Sequence, residues 1–593
     1  MAWYLRRVRA MEAEKRTTPT MTLLRWMVGL LSPYKLEVVL LIILSAAYIG
    51  ARTLTPYVGK MIVDEGIIAG DRGKMLYFTL VYVGLTLLSW LTRMFRTYFS
   101  GRLNSELLYV MRSRAYEHLC RLDLAYISRQ QAGRIISLIT NDVSAVGNVV
   151  TSENIDLMIN MLTIVGSVYI MSKMHVWLTL AALSVLPLLV GVTLVFARKT
   201  RQVYKTTREK VSLLTSSVEQ SVYGARVSQA FTERRKIDYR RFSRISRESV
   251  RANLKAAMVT ALINPSLSTI RAIATAIIIF YGGLLVTRNE LTVGSLIAFY
   301  NYTGLFYQPI IMVATFYNVL QSALASAERV YLFLKEKPGI EDSPEAEDRE
   351  ILDGEIVLEN VHFSYDGSKV FEGLNLKIRS KSTTALVGHT GAGKTTIANL
   401  ILRLYDPQKG RVLIDGVDIR KYTIKSLRRQ VSLMPQEPVL FQGTVLDNIR
   451  IGNPEATREN IEKTIDELGL KEVIESLPDG LETKVKPGGE NLSVGQRQII
   501  SFLRTMVRNP KIIVIDEAMS SVDPFTEHKL QEAILRLARR RTCIVIAHRP
   551  TTVRVADEII VLKHGKVVER GSHSMLIARQ GEYARLYSQL LRQ

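Results

Sequence analysis

The chain has 593 residues, about four times a common single-domain length, so more than one structural unit is expected. It carries a net charge of +23 with 47% hydrophobic residues and a mean hydropathy of +0.11. That combination excludes a mainly disordered chain and a chain made only of membrane spans, and it would be unusual for a soluble nucleic-acid binder, although the charge would suit one. With two cysteines, Cys120 and Cys543, a disulfide framework and a Cys-rich metal centre are excluded as well.

The charge is unevenly placed: +16 lies before Ile351 and +7 from there on. The same first part holds the long apolar runs. In chain order they are Leu36–Ile49 continuing to Tyr57, Met75–Leu91, Leu157–Met171, Val176–Ala197, Ala272–Val286 and Leu296–Leu320. Each is about the length of a bilayer-crossing helix, roughly 17–25 residues with its ends, so six spans are expected. The connections alternate in character. The N-terminal segment, Thr92–Asn154 and Arg198–Lys255 are rich in Arg and Lys. The connections at 63–74, 172–175 and 287–290 are short and nearly balanced. The positive-inside rule then puts the N-terminus, both long loops and everything after the sixth span on the cytoplasmic side of the cell membrane. Apolar residues at three- and four-residue spacing predict helices over Arg93–Leu122 and Arg198–Ser221. The turn-like tips at Ala125–Gly133 and Ser221–Arg226 are placed to touch whatever lies beneath the membrane.

Arg52 in the first span and Arg271 in the fifth are the notable charges within apolar sequence. Either they line an aqueous cavity suited to lipophilic anions or lipids, or they serve structure, with Arg52 snorkelling to the outer interface. Tyr300, Tyr302, Phe306, Tyr307 and Tyr317 of the sixth span divide in the same way between cavity lining and interhelical packing. The structural reading is favoured for both groups.

The acidic stretch Lys337–Asp353 reads as a linker, and beyond it Val/Ile-rich strands alternate with helical segments. Gly388-His389-Thr390-Gly391-Ala392-Gly393-Lys394-Thr395 follows the strand TTALV and precedes the helical IANLILRLY. Glycines in such a loop let backbone N–H groups close around phosphates at a helix N-terminus. The lysine reaches the β/γ oxygens and the threonine hydroxyl binds Mg²⁺. Further on, the strand Ile512–Ile515 ends in Asp516 and Glu517. Asp516 suits the acidic partner of a P-loop hydroxyl around Mg²⁺, and Glu517 suits polarising the attacking water.

Leu492-Ser493-Val494-Gly495-Gln496, placed shortly before that strand, resembles the signature of ATP-binding cassette (ABC) proteins. The six-span part followed by this domain resembles the exporter type of ABC transporter over essentially the whole chain. The resemblance implies an all-α transmembrane domain followed by an α/β P-loop ATPase domain. The boundaries expected are an N-terminal segment 1–20, a membrane domain 21–335, a linker 336–354 and a nucleotide-binding domain 355–593. It further implies that Tyr365 stacks on adenine, that Gly388, Thr390, Gly391, Gly393, Lys394, Thr395 and Thr396 hold ATP, and that Thr395, Gln436 and Asp516 hold Mg²⁺. Glu517, His548 and Gln436 would be catalytic. Ser493, Gly495 and Asp523 would complete the site from a partner domain. A chain with one such domain is a half-transporter, favoured as a homodimer, with a catalytically complete half of a heterodimer as the alternative and a non-transporting regulator less favoured. The cargo implied is lipophilic or amphipathic, the setting a lipid bilayer, and no nucleic acid is needed. Two departures stand out: Val494 replaces the commoner Gly, and Lys484 and Pro487 replace acidic residues in the segment before the signature.

Overall fold

The structure, a computed structural model, describes residues 18–590 other than 366, 517–523, 539–540, 548–549 and 555. The side chains of Phe306, Tyr307 and Tyr317 also lie outside the described set. The chain divides into two units. One runs to Cys120 and then from Ala132 to Glu336; the other joins Arg121–Gln131 to the chain from Lys337 onward.

The first unit is helical. A short helix α1 (Thr20–Gly29) precedes α2 (Lys35–Met61), α3 (Arg72–Arg121), α4 (Asn154–Met174), α5 (Val176–Leu183), α6 (Leu186–Tyr223), α7 (Thr232–Ala261), α8 (Ile263–Thr287) and α9 (Val293–Lys335). Five stretches among the described residues are long and apolar enough to cross a membrane: Ser32–Ile68, Arg72–Arg121, Ala132–Met174, Val176–Tyr223 and Glu233–Thr287. They cover the first five expected runs, and the 43-residue helix α9 contains the sixth. In the apolar window of Arg72–Arg121 only 6% is buried. A water-soluble fold would not leave that surface open, whereas lipid or a partner chain would cover it.

Packing within this unit forms two clusters. One surrounds Leu178, Ile270, Ala274, Ile278, Ala298 and Phe299. The other surrounds Leu23, Leu107, Met111, Val146, Ala323 and Val330. Polar side chains tie the helices to one another. Asp64 accepts from the Gly294 amide at 2.7 Å and the Thr292 hydroxyl at 2.5 Å, tying the end of the first span to the start of α9. Asp142 takes a forked pair of bonds from Arg329, 2.9 and 2.5 Å, and a third from Ser326. Tyr302 is fully buried and its hydroxyl donates to the Thr53 carbonyl at 2.7 Å. That is the interhelical packing favoured for it, while Tyr300 remains 47% exposed.

The second unit is α/β. An antiparallel sheet of β1 (Ile356–Tyr365), β2 (Ser368–Ile378), β4 (Lys409–Ile414) and β5 (Val417–Asp418) has the order β2-β1-β4-β5. A six-stranded sheet has the order β12-β11-β3-β10-β9-β6. Its members are β3 (Thr383–Val387), β6 (Val431–Met434), β9 (Ile512–Asp516), β10 (Thr542–Ile546), β11 (Glu558–Lys563) and β12 (Lys566–Gly571). All its pairings are parallel except β11 with β12. β3, β9 and β10 are buried at every position. Their unbroken apolar runs follow from having both faces of a parallel sheet covered. A two-stranded ribbon of β7 (Gly443–Thr444) and β8 (Lys484–Val485) lies apart.

Two chain segments join this unit from outside its sheets. The acidic stretch expected as a linker packs onto it: Ile351 is fully buried, and the Asp415 carboxylate accepts from the four amides of Leu352–Glu355. The tip of the first long loop forms a short helix, Leu124–Arg129, capped by Asp123. Asp123 also accepts from the Gly339 amide at 2.9 Å, and Ser128 lies 3.4 Å from the Tyr405 hydroxyl.

Candidate active site

The site begins where β3 runs into helix α10 (Lys394–Ile401) through the glycine loop. Gly393 sits at φ 102°, and a Cβ there would lie 2.5 Å from the Phe371 ring. A Cβ on Gly388 would lie 2.3 Å from the Leu562 carbonyl oxygen. Both positions therefore require glycine, which is how the backbone can wrap a phosphate. Lys394 is buried, and its ammonium donates to the Gly388 carbonyl at 2.6 Å and the His389 carbonyl at 3.2 Å. Its charge thus lies across the mouth of the loop. Thr390 and Gly391 form the exposed tip, and Thr396 is buried in the first turn of α10.

The Thr395 hydroxyl donates to the Asp516 carboxylate at 3.2 Å. Asp516, buried at the end of β9, reaches it because β10 and β3 carry the loop to that same sheet edge. β6 pairs with β9 in a register that sets Met434 opposite Ile515. Gln436, two residues past Met434 and exposed, therefore emerges at the edge where Asp516 ends β9. A hydroxyl, a carboxylate and an amide oxygen make a hard-oxygen set suited to Mg²⁺, which completes its octahedron with water and phosphate.

Tyr365 ends β1. Its hydroxyl accepts from the Asn399 amide at 3.2 Å, and its ring meets Phe363 at 4.8 Å and Tyr405 at 5.1 Å, all edge-on. Asn399 lies on α10, so one bond fixes the aromatic shelf relative to the phosphate loop. Asn399 and Tyr405 were not singled out from sequence. The signal was present in IANLILRLY, where Asn399 and Arg403 are the two polar interruptions of an apolar run.

Ser493 stands elsewhere, as N-cap of α11 (Val494–Met506). Its hydroxyl accepts from the Gln496 amide at 3.2 Å, and the Gln496 side chain accepts from the Ser493 amide at 2.9 Å. This capping box leaves the helix N-terminus, with its exposed Ser493 and buried Gly495, as a formed anion-facing end. Among the described residues no hydrogen bond joins it to the P-loop. Glu517, Asp523 and His548 lie outside the described residues. The strands beneath the site are buried throughout, and that burial pushes the Cys543 thiol of β10 up to about 12.

A phosphate loop, a hard-oxygen edge and a capped second helix end, in one chain with long apolar helices, define an ATP-hydrolysing membrane transporter. Residues 38–310 match the family described as ABC transporter transmembrane region, and residues 371–520 match the family described as ABC transporter. The chain belongs to the ABC transporter family and is of the exporter type. It is 37% identical to the ABC transporter ATP-binding protein YknV of Bacillus subtilis over 89% of this chain and 88% of that one. It is 35% identical to an ATP-dependent lipid A-core flippase of Syntrophus aciditrophicus, covering 80% of this chain and 79% of the relative. A fatty acid ABC transporter protein of Mycobacterium bovis is also 35% identical, over 80% of this chain and 75% of its own. Among solved structures, a bacterial Atm1-family ABC exporter with ATP bound superposes with a TM-score of 0.76 at 25% identity, covering 94% of this chain and 98% of that chain.

Proposed function

We propose that the chain exports or flips a lipophilic or amphipathic substrate across the cell membrane by alternating access, as a dimer of two half-transporters. The observation that carries the dimer is the separation of the two phosphate-facing elements: the P-loop with Lys394 and Thr395, and the capped end at Ser493 with Gly495. Each is formed, and a nucleotide needs both. A second copy placed head to tail brings its Ser493, Gly495 and Asp523 over the ATP held by the first. ATP then favours the closed pair because it contacts both domains only in that state.

Within one site, Tyr365 receives adenine while Gly388, Thr390, Gly391, Gly393 and Thr396 shape the loop around the phosphates. Lys394 exchanges its carbonyl partners for phosphate oxygens. Mg²⁺, held by Thr395, Asp516 and Gln436, would supply neutralisation of the phosphate charge. Glu517 orients the attacking water, with His548 and Gln436 arranging water and γ-phosphate. The Arg- and Lys-rich connections support a cytoplasmic nucleotide-binding part and N-terminus. An amphipathic cargo is supported by relatives named for lipid A-core and fatty acids. Val494 beside a retained Glu517 favours a second reading, the catalytically complete half of a heterodimer.

The test is the ATPase rate of the chain expressed alone and held in lipid, beside its Glu517→Gln variant. The homodimer predicts a dimeric enzyme whose turnover falls at least about a hundredfold in the variant. A monomeric, inactive wild type would transfer the proposal to the heterodimer.

A further inference from the structure

Arg52 lies seventeen residues after Lys35 and eight before Lys60 in the first span, about 25 Å and about 12 Å along the helix from those two cations. It is therefore inside the span rather than at an end. Its guanidinium does not reach outward, as snorkelling would require. It turns back one turn and donates to the Tyr48 hydroxyl at 3.3 Å. Pro56 has no amide to offer the Arg52 carbonyl, so the helix ladder is also open at this residue.

A second cation meets the same ring. Arg96 of α3 lies 5.8 Å from the Tyr48 ring centre, the same distance as Arg52. Arg96 is neutralised by Asp156 of α4 at 2.5 Å. Arg52 has no carboxylate partner among the described residues. One turn beyond Asp156, Asn160 donates to the Met312 sulfur of α9 at 2.9 Å and carries the polar seam across to that helix. Two guanidiniums and one carboxylate leave a single positive charge, that of Arg52 within the first span. An unpaired guanidinium inside a span is costly to hold, so its natural counterpart is an anion that enters with its own apolar tail. A second copy is a poor source of that anion, since the residues before Ile351 are themselves +16.

We propose that Arg52, Tyr48 and Arg96 form the headgroup site for an anionic amphiphile, a carboxylate or phosphate on an acyl chain. The guanidinium fork of Arg52 takes two oxygens of the headgroup side by side. The Tyr48 ring and hydroxyl hold that fork in place beforehand, which lowers the ordering cost of binding. Asp156 keeps Arg96 from adding a second free charge. The proposal names the substrate class of the exporter reading and rests on it for the direction of movement; binding itself requires no turnover, so the two can fail separately.

The experiment is equilibrium binding of dansyl-undecanoate and of its methyl ester to the full chain in phosphatidylcholine nanodiscs, without ATP. Wild type is expected to bind the acid about tenfold more tightly than the ester. Arg52→Gln removes that preference, Arg52→Lys keeps part of it, and Asp156→Asn strengthens it by uncovering Arg96. A gain in Asp156→Asn cannot come from misfolding. Competition by laurate against dodecyl phosphate identifies which headgroup the site prefers. Equal affinity for acid and ester in wild type, a preference that survives Arg52→Gln, or a weaker acid response in Asp156→Asn would each overturn the proposal.

Discussion

Asn399 shows how one side chain can couple two halves of a binding site. Its amide holds the Tyr365 hydroxyl at 3.2 Å from the helix that starts the phosphate loop. Removing the amide frees the ring without touching phosphate chemistry, at a cost of about 1 kcal/mol. Asn399→Ala should therefore raise the ATP concentration for half-maximal rate about fivefold and leave the maximal rate unchanged. A steady-state ATP titration reads both values. At this scale the sequence was most informative where backbone geometry constrains residue type. The spacing of Gly388, Gly391 and Gly393 before Lys394 announces a phosphate loop because little else fits. Asn399 was illegible because its meaning depends on Tyr365, thirty-four positions away in sequence and brought close by the sheet. Arg52 was visible as a charge in a span, but its direction is set by Tyr48 and could not be read from hydropathy.

At the scale of elements, the β11–β12 edge of the large sheet is closed by an ion pair. Arg570 donates from Nε and Nη2 to the two oxygens of Glu558, at 2.6 and 2.7 Å. That fork holds the Glu558 carboxyl below the usual carboxylate range, against the opposing effect of burial. The folded state then binds fewer protons than the unfolded one around the ordinary carboxyl value. The stabilisation is full above that value and is lost as pH falls through the lowered folded value. Glu558→Gln should lower the melting temperature near neutral pH by about 2–4 °C. The gap to wild type should narrow as the solution is acidified, which calorimetry at several pH values measures. Strands and spans were legible as elements because their apolar runs match the lengths that a covered sheet and a bilayer demand. The π-helical turns at Ile62–Ile68 and Leu138–Asp142 were not. They carry Asp64 and Asp142, whose partners lie on the last long helix, and no local pattern encodes those contacts. Turn-like composition likewise marks Ala125–Gly133 only as a loop tip, while the membership of Arg121–Gln131 in the second unit goes with Asp123 and Ser128 finding Gly339 and Tyr405.

At the scale of the whole molecule, most of the +23 charge that opens the sequence travels with the apolar runs: that part carries +16 of it. The central claim is that each ATP site is shared, with Lys394 and Thr395 from one copy and Ser493 and Gly495 from the other. Mixing two defective chains tests this most directly. Lys394→Ala removes the phosphate lysine, and Ser493→Arg blocks the capped helix end; each variant alone should be inactive in both of its sites. Coexpressed with separate tags, half of the dimers pair the two variants, and each of these has one site with both defects and one site with neither. The account predicts recovery of about one quarter of the wild-type ATPase rate in the coexpressed mixture. A mixture as inactive as its parents would contradict it, because each site would then be built within one chain or with a different partner.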